Sequence, residues 1–408
     1  MTGGLLLFVP LPSFLPAMPS LFIRPRARIF HGHDWVYGAE VLRASGDPQP
    51  GEVVLLKDQR DRMLGSAIYN PASQIVARRI SRRKQELDAD FFVRRLQRAL
   101  AWRRQEGIDP ALARLVWSEA DGLPGVVVDA YGPHVVFQTN TLAMDLRRDL
   151  LVGAIREVLA PRSVIERNDT NARKAEGMEM RCGVAAGDDP GPVEIAVNGL
   201  RFTLDLLHGQ KTGFYLDQIA NYAAVARRAG GRRVLDAFCN QGGFALHCAA
   251  AGAARVLALD IADDAVARTR ENARLNGLDQ VEARTANVFD ALREFESAGE
   301  PPFDLVVLDP PSFTRNRRAV GDAMRGYKEI HLRALKLLAP DGLLATYTCS
   351  HHISREEHLA MVVEAAVDAK RSLRLVESHT QRADHPVLPA IPETEYLKGF
   401  VFQSVAAW

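Results

Sequence analysis

From about residue 206 the chain alternates short apolar runs with longer segments of helical period. The runs fall at 232–238, 255–260, 281–286, 303–309, 342–349, 373–379 and 398–405. Between them, apolar positions recur every three or four residues over 242–252, 263–277, 288–298, about 319–339 and 354–371. A strand apolar on both faces followed by an amphipathic helix is the unit of a parallel sheet covered on both sides. Its repetition predicts a doubly wound, mainly parallel α/β domain. Ligands of such sheets bind beyond the carboxyl ends of the strands. Asp236, Asp260, Asn287, Asp309 and Cys349 all fall at predicted strand ends and are expected to share one cleft.

The N-terminal half has a different rhythm. Residues 18–85 hold short strand-like runs at 28–37, 51–57 and 63–69, separated by Gly, Pro, Asn and Asp, which predict a small barrel. It ends in Arg78-Arg-Ile-Ser-Arg-Arg-Lys84, where Arg78, Arg79, Arg82 and Arg83 form a candidate phosphate-contacting patch. The competing reading is a solvated strand end and linker. Asp90 to Glu106 reads as an amphipathic helix with Phe91, Phe92, Leu96, Leu100 and Trp102 on its apolar side and arginines, Arg103 among them, on its wet side. Over 114–205, strands at 125–129, 134–138 and 163–167 and a helix at 144–159 predict an α+β middle domain. The boundaries drawn from these rhythms are 18–88, 89–205 and 206–408.

Composition adds limits. A chain of 408 residues holds two or three domains, and 47% hydrophobic with 25% charged residues is ordinary for a globular protein. A formal net charge of +1 means that any nucleic-acid role rests on a local patch. Cys182, Cys239, Cys248 and Cys349 lack metal-ligand or disulfide spacing, which points to a reducing cytoplasm. Four prolines interrupt the apolar residues 1–23, and no basic segment precedes them, which argues against a signal peptide or a membrane span. Residues 1–17 read as a disordered extension, with Met18 an alternative start.

The strand ends carry chemistry. Val234 to Phe244 runs from a buried strand through Asp236 into Gly242-Gly243 and a helix, a nucleotide-type turn. It lacks both the G-x-G-x-x-G spacing of a dinucleotide site and the GK[ST] of a P-loop, so it need not hold a pyrophosphate. Asp260 suits a ribose diol and Asn287 an adenine edge; S-adenosylmethionine, which has no phosphate, satisfies both. Asp309-Pro-Pro-Ser-Phe313 ends a strand in a rigid turn able to grip the amino edge of a flat base, with Phe313 to stack on it. Cys349 sits at the end of the next strand, where a thiolate could attack C6 of a pyrimidine and make C5 nucleophilic. His351 and His352 either assist it or cap the following helix.

With these motifs in order, the chain resembles the class I S-adenosylmethionine-dependent ribosomal RNA methyltransferases of the large-subunit 5-methylcytosine type over residues 20–408. Its markers are His33-Asp-Trp-Val-Tyr37, Glu119 to Gly132, Ile165-Glu-Arg-Asn-Asp169, Arg173-Lys-Ala-Glu-Gly177, Gly209 to Gln218, Asp236…Gly242-Gly-Phe244, Asp309 to Phe313 and Thr348-Cys-Ser-His-His352. The resemblance implies an N-terminal PUA β-barrel, a middle domain and a Rossmann-like methyltransferase domain with a seven-stranded sheet. It implies cofactor contacts from the Lys211–Gln218 segment, including Lys211, Tyr215, Asp217 and Gln218, from the stretch Asp236 to Gly242, which includes Phe238, and from Asp260 and Asn287. It implies base recognition by Asp309 and Pro310, beside the stacking face of Phe313 noted above, and Cys349 as nucleophile. The implied partner is 23S ribosomal RNA or the large-subunit particle, with no membrane and no metal; a homodimer stays open. Two positions depart from the family pattern: Ile219-Ala-Asn-Tyr222 stands where arginines are common, and Asn287 where an acid is usual. Two other readings compete: methylation of another base or an exocyclic amine with Cys349 a bystander, and a non-catalytic RNA-binding assembly factor.

Overall fold

A computed structural model describes residues 18–209, 212–314 and 320–405. The expected 1–17 extension and Lys211 lie outside the described residues. The first unit is six short strands, β1 (Ser20–Ile23), β2 (Trp35–Tyr37), β3 (Val41–Ser45), β4 (Val53–Asp58), β5 (Met63–Tyr69) and β6 (Ile75–Ser81). They lie in the order β2-β6-β5-β4-β1-β3, antiparallel except for the β1–β4 pair. Alternate positions Leu21, Ile23, Val54, Leu56 and Ala67 fill the interior. The run expected as a strand from Arg28 is corrected: Arg28–His31 is a 3-10 turn, closed by Gly32 at φ 92°, and only Trp35–Tyr37 pairs. A left-handed φ is open to glycine and breaks the extended chain there.

Asp88 caps α1 (Ala89–Gln105) by accepting from the Phe91 N–H at 2.8 Å. The buried stripe of α1 is Phe92, Leu96, Ala99 and Arg103, at spacings of four, three and four. Trp102, expected on the apolar side, is instead 39% exposed, and Arg103, expected on the wet side, is fully buried. The reason is a partner: Arg103 makes a two-pronged ion pair with Asp121 at 2.5 and 2.8 Å.

The middle sheet, ordered β11-β10-β9-β8-β7, comprises β7 (Leu112–Trp117), β8 (Val126–Tyr131), β9 (His134–Thr139), β10 (Ser163–Asn168) and β11 (Arg181–Gly187). The single helix expected over 144–159 is two, α2 (Leu142–Asp145) and α3 (Arg148–Leu159). The Asp145 carboxylate accepts from Thr139 and from Arg173, on α4 (Asn171–Ala175), and these bonds hold the end of α2 against the sheet. A hairpin of β12 (Pro192–Val197) and β13 (Leu200–Asp205) follows. Its face of Val193, Ile195, Val197, Phe202 and Leu204 joins the core of the C-terminal unit.

That unit begins with α5 (Ile219–Ala226) and is built on β14 (Arg233–Ala237), β15 (Arg255–Asp260), β16 (Val281–Thr285), β17 (Phe303–Leu308), β18 (Leu338–Thr348), β19 (Ser372–Thr380) and β20 (Lys398–Val405). The order is β16-β15-β14-β17-β18-β20-β19, parallel except for β20, which runs antiparallel to both neighbours. The helices α6 (Gly243–Ala250), α7 (Asp263–Leu275), α8 (Val288–Ala298), α9 (Val320–Lys336) and α10 (Arg355–Asp368) cover it. With α5, α6, α7 and the hairpin on one face and α8, α9 and α10 on the other, the strands' two faces fill separate cores. This is the Rossmann-like α/β arrangement expected from the alternation. Among the described residues, no helix is long and apolar enough to cross a membrane.

Candidate active site

Between β14 and β17 the strand order reverses, and a cavity of about 590 Å³ opens over their carboxyl ends. Tyr215, Asp217, Gln218, Phe238, Asp260, Asn287, Asp309, Pro310, Phe313 and Cys349, all named from sequence, line it together. Asp236 and Gly242 do not. Asp236 lies beneath the turn, fully buried, and its Oδ2 accepts the Ala245 N–H of α6 at 2.8 Å. A Cβ on Gly242, at φ 84°, would come within 2.4 Å of Leu246 and 2.9 Å of Thr269, and one on Gly243 within 2.5 Å of Tyr222. The glycines therefore answer first to the helix and ring packed beneath the turn.

The backbone over β14 is under tension. Phe238 at φ 71° and Asn240 at φ 49° hold left-handed conformations that side chains disfavour. The Asp260 carboxylate secures them, accepting from the Asn240 N–H at 2.9 Å and the Ala262 N–H at 3.0 Å. Opposite, Asn287 caps α8 by accepting from the Phe289 N–H at 2.9 Å. Its carbonyl is thereby engaged, and its amide group remains to donate. Val288, Phe289 and the exposed Ile261 give this end apolar surface for a flat ring.

On the other side, Gln218 donates from Nε2 to Asp309 at 3.0 Å, and Asn221 donates to Gln218 at 2.7 Å. Tyr396 donates its hydroxyl to Asp217 at 2.5 Å. The departure at 219–222 thus has a packing role: Asn221 orients Gln218, while Tyr222 lines the cavity and packs edge-on to Phe244 at 4.7 Å between ring centres. Phe313 belongs to an aromatic cluster, 4.5 Å from Tyr327 and 5.8 Å from Phe289. His351 and His352 are exposed, and α10 is capped by Ser354 with Glu357 in a reciprocal capping box, so neither histidine is the cap.

Gln241 lies inside the Asp236–Gly242 stretch implicated by the resemblance but was not singled out from sequence. It lines the cavity, donates Nε2 to the Gly213 carbonyl at 2.7 Å, and has a buried Oε1 with no partner among the described residues. A buried acceptor left open beside a cavity is satisfied by a hydrogen-bond donor, such as the amino group of a ligand. With the Asp260 carboxylate, the Asn287 amide and the apolar wall at 288–289, it meets the demands of an adenosine carrying a charged amino-acid tail.

The S-adenosylmethionine-dependent methyltransferase family matches residues 173–403, and a PUA-like domain matches 24–82. The chain belongs to this methyltransferase family. Among similar proteins, the ribosomal RNA large subunit methyltransferase I of Tolumonas auensis is 39% identical, the match covering 91% of this chain and 96% of the relative. The protein of the same name from Erwinia tasmaniensis is 38% identical over 90% of this chain and 94% of its own. A solved structure from Streptococcus mutans, described as a candidate SAM-dependent methyltransferase, has a TM-score of 0.81 at 22% identity, covering 94% of this chain and 99% of that one. The six-stranded unit is thus a PUA-like domain, and the methyl donor is S-adenosylmethionine.

Burial, with Asp309 and Asp260 nearby, pushes the Asp236 carboxyl up to about 8 against the pull of the Ala245 N–H. An unfolded aspartate titrates near 3.9. The neutral acid therefore stabilises the fold fully below about pH 4, and that contribution is lost as pH rises through 8. Asp236→Asn, uncharged throughout, should flatten the decline in melting temperature over that range without donor present, and should exceed wild type above pH 8. Parallel melting curves for the two proteins would refute the assignment.

The basic run divides. Arg78 pairs with Glu119 at 2.6 Å and Arg79 with Asp34 at 2.7 Å, so both serve the domain's own packing. Arg82 and Arg83 are exposed. Arg82 joins Arg95, Arg98 and Trp102 around a second cavity of about 730 Å³, between the PUA-like unit, α1 and residues 386–388. Among the described residues, Arg82, Arg95 and Arg98 have no carboxylate within salt-bridge distance.

Proposed function

We propose that the protein methylates C5 of a cytosine in 23S ribosomal RNA, in the cytoplasm, on naked RNA or the large-subunit particle. The observation that carries this reading is one cavity in which donor-side residues, Asp309 and Cys349 meet. The names of the relatives support the ribosomal RNA substrate. In this reading Tyr215, Asp217, Gln218, Phe238, Gln241, Asp260 and Asn287 hold the donor; Lys211, outside the described residues, joins them by resemblance. S-adenosylmethionine, when bound, supplies an electrophilic methyl on a sulfonium.

Asp309, oriented by Gln218, holds the amino edge of the base and favours protonation at N3, which makes C6 more electrophilic. Pro310 fixes that grip and Phe313 offers a stacking face. The Cys349 thiolate forms an S–C6 bond, and the C5–C6 π pair moves onto C5, which takes the methyl as the bond from that methyl to the donor sulfur breaks, its electron pair staying on sulfur to leave a neutral thioether. A base then removes the C5 proton, the C5–C6 double bond re-forms, and the S–C6 bond breaks to return the thiolate. Mass-spectrometric mapping of ribosomal RNA from a deletion strain should show one 5-methylcytosine missing and restored by the gene. An unchanged map would refute the substrate.

The second cavity supports the RNA-binding role. Arg82 and Arg98, without carboxylate partners, suit phosphates, Arg95 beside them is already bonded to the Ile80 carbonyl at 2.7 Å, and Trp102 suits an unstacked base, whereas Arg78 and Arg79 are committed internally. Replacing Arg82, Arg95 and Arg98 by Gln should weaken RNA binding. It should also lower the slope of log K against log salt by about one for each phosphate that is no longer neutralised. Binding and slope equal to wild type would exclude this face.

A further inference from the structure

One buried cation beside the cavity has no part in the chemistry above. Lys398 opens β20, and the antiparallel register sets it opposite Thr348, the residue before Cys349. Its side chain is almost wholly enclosed, with the residue 6% exposed, and Nζ donates to the carbonyl of Ser350, the residue after Cys349, at 2.9 Å. The lysine thus spans the turn that presents the thiol, and its neighbour Leu397 lines the same cavity as Cys349. Its hydrogen-bond partner is that backbone carbonyl rather than a carboxylate.

The surrounding charges define the need. On the β17 side stands Asp309, which disfavours a second anion, and Tyr327 on α9 feels the charge of both Asp309 and Cys349. Around Lys398 lie Glu395, Arg355, Glu357 and His351. Arg355 is bonded to the His379 carbonyl at 3.0 Å, to Glu395 at 3.2 Å and to the Gly399 carbonyl at 3.5 Å, and its charge opposes that of Lys398. Burial lowers the lysine's affinity for its proton, while Glu395 and, after it, charge on Cys349 raise it. By linkage, the ammonium lowers the thiol's affinity for its own proton equally.

We propose that Lys398 is a positioning residue that anchors the Cys349–Ser350 turn and stabilises Cys349 as a thiolate. The inference rests on reading Cys349 as the nucleophile and adds the group that charges it. Cysteines beside a lysine are reactive because the thiolate is the nucleophilic form.

The test is the pH profile of Cys349 alkylation by iodoacetamide in the full chain, mapped by mass spectrometry, with exposed Cys182 as internal reference. In wild type the Cys349 midpoint should fall below the ordinary thiol value of about 8.5. Lys398→Met should raise it by about one unit, slowing alkylation at pH 7 about tenfold. Lys398→Arg should restore most of the shift, and Cys182 should not change. A wild-type midpoint at or above 8.5 overturns the proposal whether or not any variant folds. So does a Lys398→Met protein that keeps its melting temperature and its Cys349 midpoint, or an Arg variant no better than Met. Methylation by Cys349→Ala would refute the nucleophile reading while leaving the alkylation result intact, so the two failures are distinguishable.

Discussion

Cys349→Ala should abolish formation of 5-methylcytosine, lowering the single-turnover rate by at least about 10³-fold, while S-adenosylmethionine still binds. Loss of an enzymic nucleophile falls on this scale or above it because no remaining group can open the covalent path. Donor binding should survive because its proposed contacts lie in the β14–α6 turn, at the end of β15, in the β16–α8 turn and at residues 215–218. RNA carrying 5-fluorocytosine, which lacks the C5 proton needed for release, should trap a covalent adduct with wild type and none with the variant. Methylation of an exocyclic amine needs no thiol, so a Cys349→Ala enzyme that methylates at the wild-type rate would establish that reading instead. A chain that binds no donor by calorimetry would be the RNA-binding assembly factor.

The largest stability effect is expected at Arg103. Its guanidinium is fully buried, paired with Asp121, and also donates to the Asp384 carbonyl at 2.7 Å and the Arg114 carbonyl at 2.9 Å. Asp121→Ala strands that charge without a carboxylate and should cost about 3–5 kcal/mol. Adding Arg103→Met removes the stranded charge and should recover much of the loss. Denaturant midpoints of the three proteins check both steps, and an Asp121→Ala protein as stable as wild type would show that the pair contributes little.

The C-terminal unit was the most legible part of the chain. Its strands are buried on both faces, so they read as apolar runs, and the polar residue ending each run falls where the topology puts ligands. Arg103 was misread for a reason of the same kind: the stripe 92, 96, 99 continues to 103, but charge outweighed spacing where the compensating Asp121 is a tertiary partner. The turn at Asn198-Gly199, both left-handed at φ 50° and 86°, was a readable hairpin signal between alternating strands. What local sequence could not supply was its packing on α6 and α7, seen where Asn198 meets His247 at 3.1 Å and the Thr203 N–H meets Asn272 at 3.0 Å. Gln241 was hidden likewise, since its open acceptor is defined by Gly213, 28 residues away. The split between Arg78–Arg79 and Arg82–Arg83 depends on Asp34 and Glu119, which no count of basic residues contains.

The segment between β19 and β20 leaves the methyltransferase sheet and returns to it. On the way Asp384 bonds Arg103 and Arg114 of the middle unit, Thr394 accepts from Trp117, and Glu393 reaches His33 of the PUA-like unit at 3.1 Å. One loop thereby laces all three units together, with α1 and the middle sheet as its anchor. The arginine-lined cavity and the cavity holding Cys349 are accordingly two fixed points of a caliper. Under the proposed RNA-binding role of the arginine-lined cavity, a target nucleotide would have to lie on an RNA path that matches their separation, so choosing it would measure RNA shape as well as read one base.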